Sequence, residues 1–185
     1  MPTYGTTDRC TGGVASADSI TGGYVAANAC DDDAGTFWAS ANTAFPHWWK
    51  YDFGAGITWR ISQLTIKAGI VGTSIGIKDF TLQGSKDDSN WTVLYTGQQA
   101  NNTDIQTFSF INKNLYRYCM INITTDWEAG YEMTYLNEVQ MFEGIYPGGG
   151  LGIGNPWIFM KDMWEKHDKL WKPKLILPKD LGFQM

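Results

Sequence analysis

Between Trp48 and Phe142 the chain repeats one pattern, a short apolar–polar alternation closed by a cluster of turn formers. Trp48-Trp49-Lys50-Tyr51-Asp52-Phe53 alternates at period two, as do Ile61-Ser62-Gln63-Leu64-Thr65-Ile66 and Phe80-Thr81-Leu82-Gln83. Residues 90–95, 107–111, 116–123 and 136–142 continue the series. A period of two lays one side of a strand on a core and turns the other to water. Lys86-Asp87-Asp88-Ser89-Asn90 and Asn101-Asn102-Thr103-Asp104 supply turns between them, because Asn, Asp and Ser bond their own backbone. No amphipathic helical pattern interrupts the run, so the expected fold is all-β, an antiparallel sandwich or barrel. Trp38, Trp48 and Trp91 are expected in its core. With 43% hydrophobic and 15% aromatic residues in 185, the chain suffices for one cored domain and an appendage.

Charge and composition exclude several functions. The net charge of −5, without a basic cluster, argues against nucleic acid as a partner. No apolar run is long enough for a membrane span. Nothing in the first residues reads as a secretory signal, so synthesis in the cytoplasm is expected. Cys10, Cys30 and Cys119 form no C-x-x-C pair and read as free thiols. Gly72-Thr73-Ser74-Ile75-Gly76 matches the nucleophile pattern G-x-S-x-G, but no helix follows it. The chain has only His47 and His167 to serve as a base. No catalytic constellation remains, and the protein is expected not to be an enzyme.

Residues 29–38 read Ala-Cys-Asp-Asp-Asp-Ala-Gly-Thr-Phe-Trp. Three consecutive carboxylates followed by Gly and Thr favour a bent loop over a helix or strand. Oxygen ligands gathered on such a loop suit a hard cation, Ca²⁺ foremost; the alternative is a solvated acidic turn.

Composition changes at Pro147. Residues 147–155 form a Gly-rich linker, after which Asn155 and Pro156 read as N-cap and first helical residue. Trp157, Met160, Trp164 and Trp171 then share one helical face, and Pro173 ends the helix before an extended apolar stretch with Leu175 and Leu177. Residues 1–146 carry 8 Lys and Arg against 15 Asp and Glu, whereas residues 147–185 carry 6 against 4. These six apolar residues are the expected docking surface for another protein chain of a larger assembly. The organisation is thus a lead-in over 1–9, a sandwich over 10–146, a linker over 147–155 and an aromatic helix with an extended arm over 156–185.

Seven segments, in order, resemble the discoidin family, also called coagulation factor 5/8 type C domains, which shares its fold with galactose-binding-like carbohydrate-binding modules. They are residues 24–31 (YVAANACD), 36–38 (TFW), 48–54 (WWKYDFG), 61–66 (ISQLTI), 78–85 with Asn90-Trp91, 116–118 (YRY) and 136–139 (LNEV). The resemblance implies an eight-stranded jelly-roll sandwich that binds through loops at one end. It also implies a structural calcium site, here at Asp31, Asp33, Thr36 and Glu138 with carbonyls of the same loop. One departure concerns residues 69–78, which contain no Arg or His of the kind galactose-binding members use.

Stacking on a pyranose needs an exposed aromatic face and a few fixed polar groups. Trp127 and Tyr131, in the polar stretch before the last strand, are candidate ligand contacts with Tyr24 and His47; capping the ends of the sandwich is the alternative role. The expected function is a glycan or cell-surface binding module shown on a larger assembly, a bacteriophage virion surface being the favoured setting. A purely structural decoration or joining protein and an exported lectin are the alternatives.

Overall fold

The computed structural model describes residues 3–69, 76–128, 130 and 132–145. The chain divides into two compact units, residues 1–152 and 153–185. The expected helix and the docking residues Trp157, Met160, Trp164, Trp171, Leu175 and Leu177 lie outside the described residues, as does Tyr131.

Eleven strands are found among the described residues: β1 (Thr3–Tyr4), β2 (Val14–Ala17), β3 (Trp38–Ala39), β4 (His47–Asp52), β5 (Ile61–Lys67), β6 (Asp79–Ser85), β7 (Trp91–Gln98), β8 (Gln106–Ser109), β9 (Tyr118–Ile123), β10 (Tyr135–Leu136) and β11 (Glu138–Ile145). One sheet runs β1-β11-β5-β8, the other β2-β4-β9-β6-β7, and β10-β3 is a small third pair. All strand pairings are antiparallel. This is the expected jelly-roll sandwich.

The alternation decides which side chains face inward. In β4, His47, Trp49 and Tyr51 are buried while Trp48, Lys50 and Asp52 are half-buried. Phe80 and Leu82 from β6, with Cys119, Ile121 and Ile123 from β9, complete that inner face. Ile61, Leu64 and Ile66 of β5 meet them with Val139 and Met141 of β11. Trp38 is fully buried as expected, but Trp48 and Trp91 are not in the core. Two adjacent strand residues point to opposite faces, so burying Trp49 turns Trp48 outward, where the Lys50 ammonium lies 5.4 Å from its ring centroid. Trp91 opens β7, an edge strand.

Residues 3–9 belong to the sandwich and are not a loose lead-in. β1 pairs with β11, and one Asp8 oxygen accepts from both the Cys10 and Met141 amides. Arg9 lies 3.8 Å over the Trp59 ring and pairs with Glu143.

Candidate functional site: the loop end of the sandwich

Strand register places the candidate residues at one end. His47 pairs with Ile123, Asp79 with Gln98, Lys67 with Glu138, and Ile66 with Gln106. The chain leaves β2, β5, β7 and β9 at this end and re-enters β4, β6, β8 and β11 there. The described residues of 18–46, 68–69, 76–78, 99–105, 124–128 and 132–137 therefore form a single group of loops.

Two half-exposed aromatic groups mark this end. Tyr24, 43% exposed, stacks on Phe37 with centroids 4.3 Å apart, and Phe37 meets Tyr135 edge-on at 5.1 Å. On the next loop the Trp127 indole donates to the Gln99 carbonyl at 3.0 Å, and the Lys78 ammonium stands 4.8 Å from its ring centroid. Both rings are thus held in place before any ligand arrives.

Buried polar atoms without a partner cluster in the same loops. They include both amide atoms of Gln99, Oδ2 of Asp126, the Thr134 hydroxyl and Oδ1 of Asn137. Burial raises the Asp126 carboxyl above its usual range, against the opposing hydrogen bond from the Glu128 amide.

His47 does not present a ligand contact. Its ring is buried, with Nδ1 2.7 Å from Asp18 Oδ2 and Nε2 2.8 and 3.0 Å from the Glu132 and Thr43 carbonyls. All its polar capacity is spent within the protein.

The acidic loop follows a short 3₁₀ turn, Ala26–Ala29. Asp31 Oδ1 accepts the Asp33 amide and Asp33 Oδ1 accepts the Gly35 amide, while Asp32 adopts a left-handed φ of 61°. Thr36 Oγ1 has four oxygens within 3.1 Å: the carbonyls of Asn28 and Asp33 and both carboxylate oxygens of Asp31. Asp31 Oδ1 and the Asp33 carbonyl also accept the Asp33 and Thr36 amides, and a hydroxyl has one proton to give, so one of the Asn28 carbonyl and Asp31 Oδ2 is left without a donor. Glu138, 7% exposed, has no hydrogen-bond partner on either carboxylate oxygen. Burial, with Asp32, Asp31 and Asp8 nearby, pushes its carboxyl up to about 7. Lys67, which reaches the loop, donates to the Ala34 carbonyl.

Among the described residues no three His, Cys, Asp or Glu side chains form a metal-holding group. The oxygens around Thr36, with those of Glu138, are a mixed set of carboxylate, hydroxyl and carbonyl, the ligands that a hard cation prefers. Within that set Asp33 offers its carbonyl, its side chain being turned to Gly35. With one oxygen beside Thr36 left without a donor and the Glu138 carboxylate unpartnered, these residues fit a divalent cation.

The model of the F5/8 type C domain matches residues 14–139. The chain belongs to this family. Solved structures with the same fold include the family 32 carbohydrate-binding module of C. perfringens NanJ in complex with galactose. It is 18% identical, with a TM-score of 0.64, over 77% of this chain and 100% of that one. A chitosan-binding module from a chitosanase/glucanase of Paenibacillus sp. IK-5 is 24% identical, with a TM-score of 0.61, over 73% and 98%. The family 32 module of AlyQ, in complex with 4,5-unsaturated mannuronic acid, is 19% identical, with a TM-score of 0.57, over 70% and 93%. No curated relative matches by sequence.

In this F5/8 type C domain the candidate residues fall into two groups on one loop end. Asp31, Asp33, Thr36 and Glu138 lie about the acidic loop, and Tyr24 and Trp127 stand on the neighbouring loops. Sequence reasoning passed over Phe37, Lys78, Gln99 and Asp126, whose parts depend on contacts between distant loops. Asn28, whose carbonyl joins the Thr36 oxygens, is implied only as one of the loop's carbonyls.

Proposed function

We propose that this domain is a non-catalytic glycan-binding module that binds at its loop end and is presented on a larger particle, such as a virion surface, through residues 147–185. The observation that carries the glycan reading is the pair of braced, half-exposed rings, Tyr24 and Trp127, with the Lys78 ammonium beside the second, on one end of the sandwich. A sugar offers an apolar C–H face, which suits the Tyr24 and Trp127 rings, and hydroxyls that both donate and accept, which suit exposed polar groups around them such as Lys78. Solved relatives with this fold are described with galactose and with a uronic acid, and one as chitosan-binding. The arm reading rests on the apolar helical face and opposite charge of the tail sequence.

Ca²⁺ would be held by Asp31, Thr36, Glu138 and the carbonyls of Asn28 and Asp33. When bound it supplies the positive charge that the Glu138 carboxylate and the crowded oxygens lack, stiffening the loop beside Tyr24.

Screening the full chain on immobilised glycans, with Tyr24→Ala and Trp127→Ala as controls, tests the reading. Binding that falls about tenfold or more in each variant, with unchanged thermal midpoints, is expected. Binding to no glycan, or binding indifferent to both substitutions, favours the structural decoration protein instead.

A further inference from the structure

Residues 36–39 run from the oxygen set of the acidic loop to the backbone of Tyr24. Thr36 lies within that set, its hydroxyl no more than 3.1 Å from the Asn28 carbonyl and both carboxylate oxygens of Asp31. Phe37 follows, its ring stacked on Tyr24 at 4.3 Å and met edge-on by Tyr135 at 5.1 Å. Trp38 is fully buried and donates its indole proton to the Ser19 carbonyl. The Ala39 amide then donates to the Tyr24 carbonyl at 3.3 Å, and the Ala39 carbonyl accepts the Thr21 amide at 3.0 Å. Asn28 ties the two ends of this path together. Its side-chain amide donates to the Phe37 carbonyl, while its own carbonyl faces Thr36.

Glu138, the other member of the set, follows β10, which pairs with β3 through Leu136 opposite Trp38 and Tyr135 opposite Ala39. Phe37 thus touches one ring from the loop after β2 and another three residues ahead of Glu138. One oxygen beside Thr36 lacks a donor, and neither oxygen of the buried Glu138 carboxylate has a hydrogen-bond partner. A divalent cation among these groups replaces repulsion with attraction, and the constraint falls on the residues that hold it. Phe37 is the residue through which that constraint meets an exposed ring.

We propose that Phe37 is a positioning residue that links the cation set to the Tyr24 ring, so that a divalent cation and a glycan bind this domain with positive cooperativity. The affinity arm of this proposal rests on the glycan reading; the link from cation to ring does not. Stacking on a sugar needs Tyr24 in one orientation, and a ring already fixed through Phe37 requires less ordering when the sugar arrives. By linkage, the glycan strengthens cation binding by the same factor. Trp127 supplies the contrast, because its ring is held by the Gln99 carbonyl and the Lys78 ammonium and by none of residues 24–39.

The experiment titrates the full chain with Ca²⁺ at fixed pH, followed by NMR of the Thr36 amide, the Tyr24 ring and the Trp127 indole. It is read beside retention on galactose- and chitosan-bearing matrices in Ca²⁺ and in chelator. The Tyr24 ring signals are expected to shift with the midpoint of the Thr36 amide while the Trp127 indole stays in place. Phe37→Leu keeps an apolar side chain but has no ring to stack; Ca²⁺ should still move its Thr36 amide and leave Tyr24 unmoved. Phe37→Tyr, which restores the ring, should recover the Tyr24 shift. Retention on whichever matrix binds should be about tenfold stronger in Ca²⁺ for the wild type and Phe37→Tyr, and equal in both conditions for Phe37→Leu. A Tyr24 ring that ignores Ca²⁺ while Thr36 responds, or that responds equally in Phe37→Leu, overturns the link. A Thr36 amide indifferent to Ca²⁺ overturns the cation set and the link with it. If Phe37→Leu does not fold, the wild type decides alone, and equal shifts of Tyr24 and Trp127 overturn the link. Retention indifferent to Ca²⁺ overturns the cooperativity. Retention on neither matrix counts against those two sugars as ligands, and the ring signals still decide the link.

Discussion

Glu138 enters the protein as a carboxyl buried among other carboxylates, and its behaviour with pH follows from that. Its carboxyl sits at about 7 in the folded chain against an ordinary 4.5, chiefly through burial and then through Asp32, Asp31 and Asp8. Between those values the folded state binds more protons than the unfolded state, so stability of the calcium-free protein falls as pH rises from 4.5 towards 7. The full loss is on the order of 3 kcal/mol. A cation bound by the carboxylate acts in the opposite sense, and its stabilisation grows with pH. Thermal unfolding in chelator and in Ca²⁺, at about pH 5 and about pH 7.5, should give a small calcium shift at the first and a large one at the second. A hundredfold excess over the dissociation constant is worth about 2.7 kcal/mol. Glu138→Gln should stabilise the chelated protein at the higher pH and abolish the calcium response. A shift equal at both pH values would sink the assignment of Glu138 to the cation.

At the scale of the element, β4 shows what a sequence states and what it withholds. Its alternation was legible, and so were β5, β6, β7, β8, β9 and β11, because large apolar residues recur at period two. The pattern does not say which of two neighbouring tryptophans faces inward. The partners decide: Trp49 is fully buried and donates its indole proton to the Ala26 carbonyl at 2.9 Å, whereas Trp48 shares the outer face with Lys50. Trp49→Ala should therefore cost about 3–5 kcal/mol and Trp48→Ala about 1, read from denaturant midpoints. Equal costs would mean that the strand faces are misassigned. β2 escaped notice for a related reason. Val14-Ala15-Ser16-Ala17 has no large alternating residue and lies on a sheet edge, with its place set by pairing to β4. The acidic loop was readable since Asp, Gly and Thr shape their own backbone over a few residues. The contacts of His47 were not, because it meets Asp18 across 29 residues and Glu132 across 85. Such contacts exist only once the sandwich has closed.

At the scale of the whole molecule, the described sandwich closes on itself. β1 and β11 pair with each other near opposite ends of the described chain, so the first strand closes on the last within residues 3–145. Every residue of the buried core cluster lies between Cys10 and Met141. The loops that carry Tyr24, Trp127 and the oxygens about Thr36 also lie inside that span and are braced from within it by Phe37, Lys78 and Asp18. A fragment of residues 1–146 should then unfold cooperatively, with a midpoint within a few degrees of the full chain's, and keep whatever glycan affinity the full chain has. Calorimetry and retention on the same matrix, run on both lengths, check this. Loss of cooperative unfolding in the fragment would make residues 147–185 part of the domain. A fragment that folds but no longer binds would place a ligand contact in the arm. The first result would turn the aromatic face of Trp157, Trp164 and Trp171 to this chain's own sandwich, the second to its ligand, and either removes a separable arm whose face serves a partner's surface.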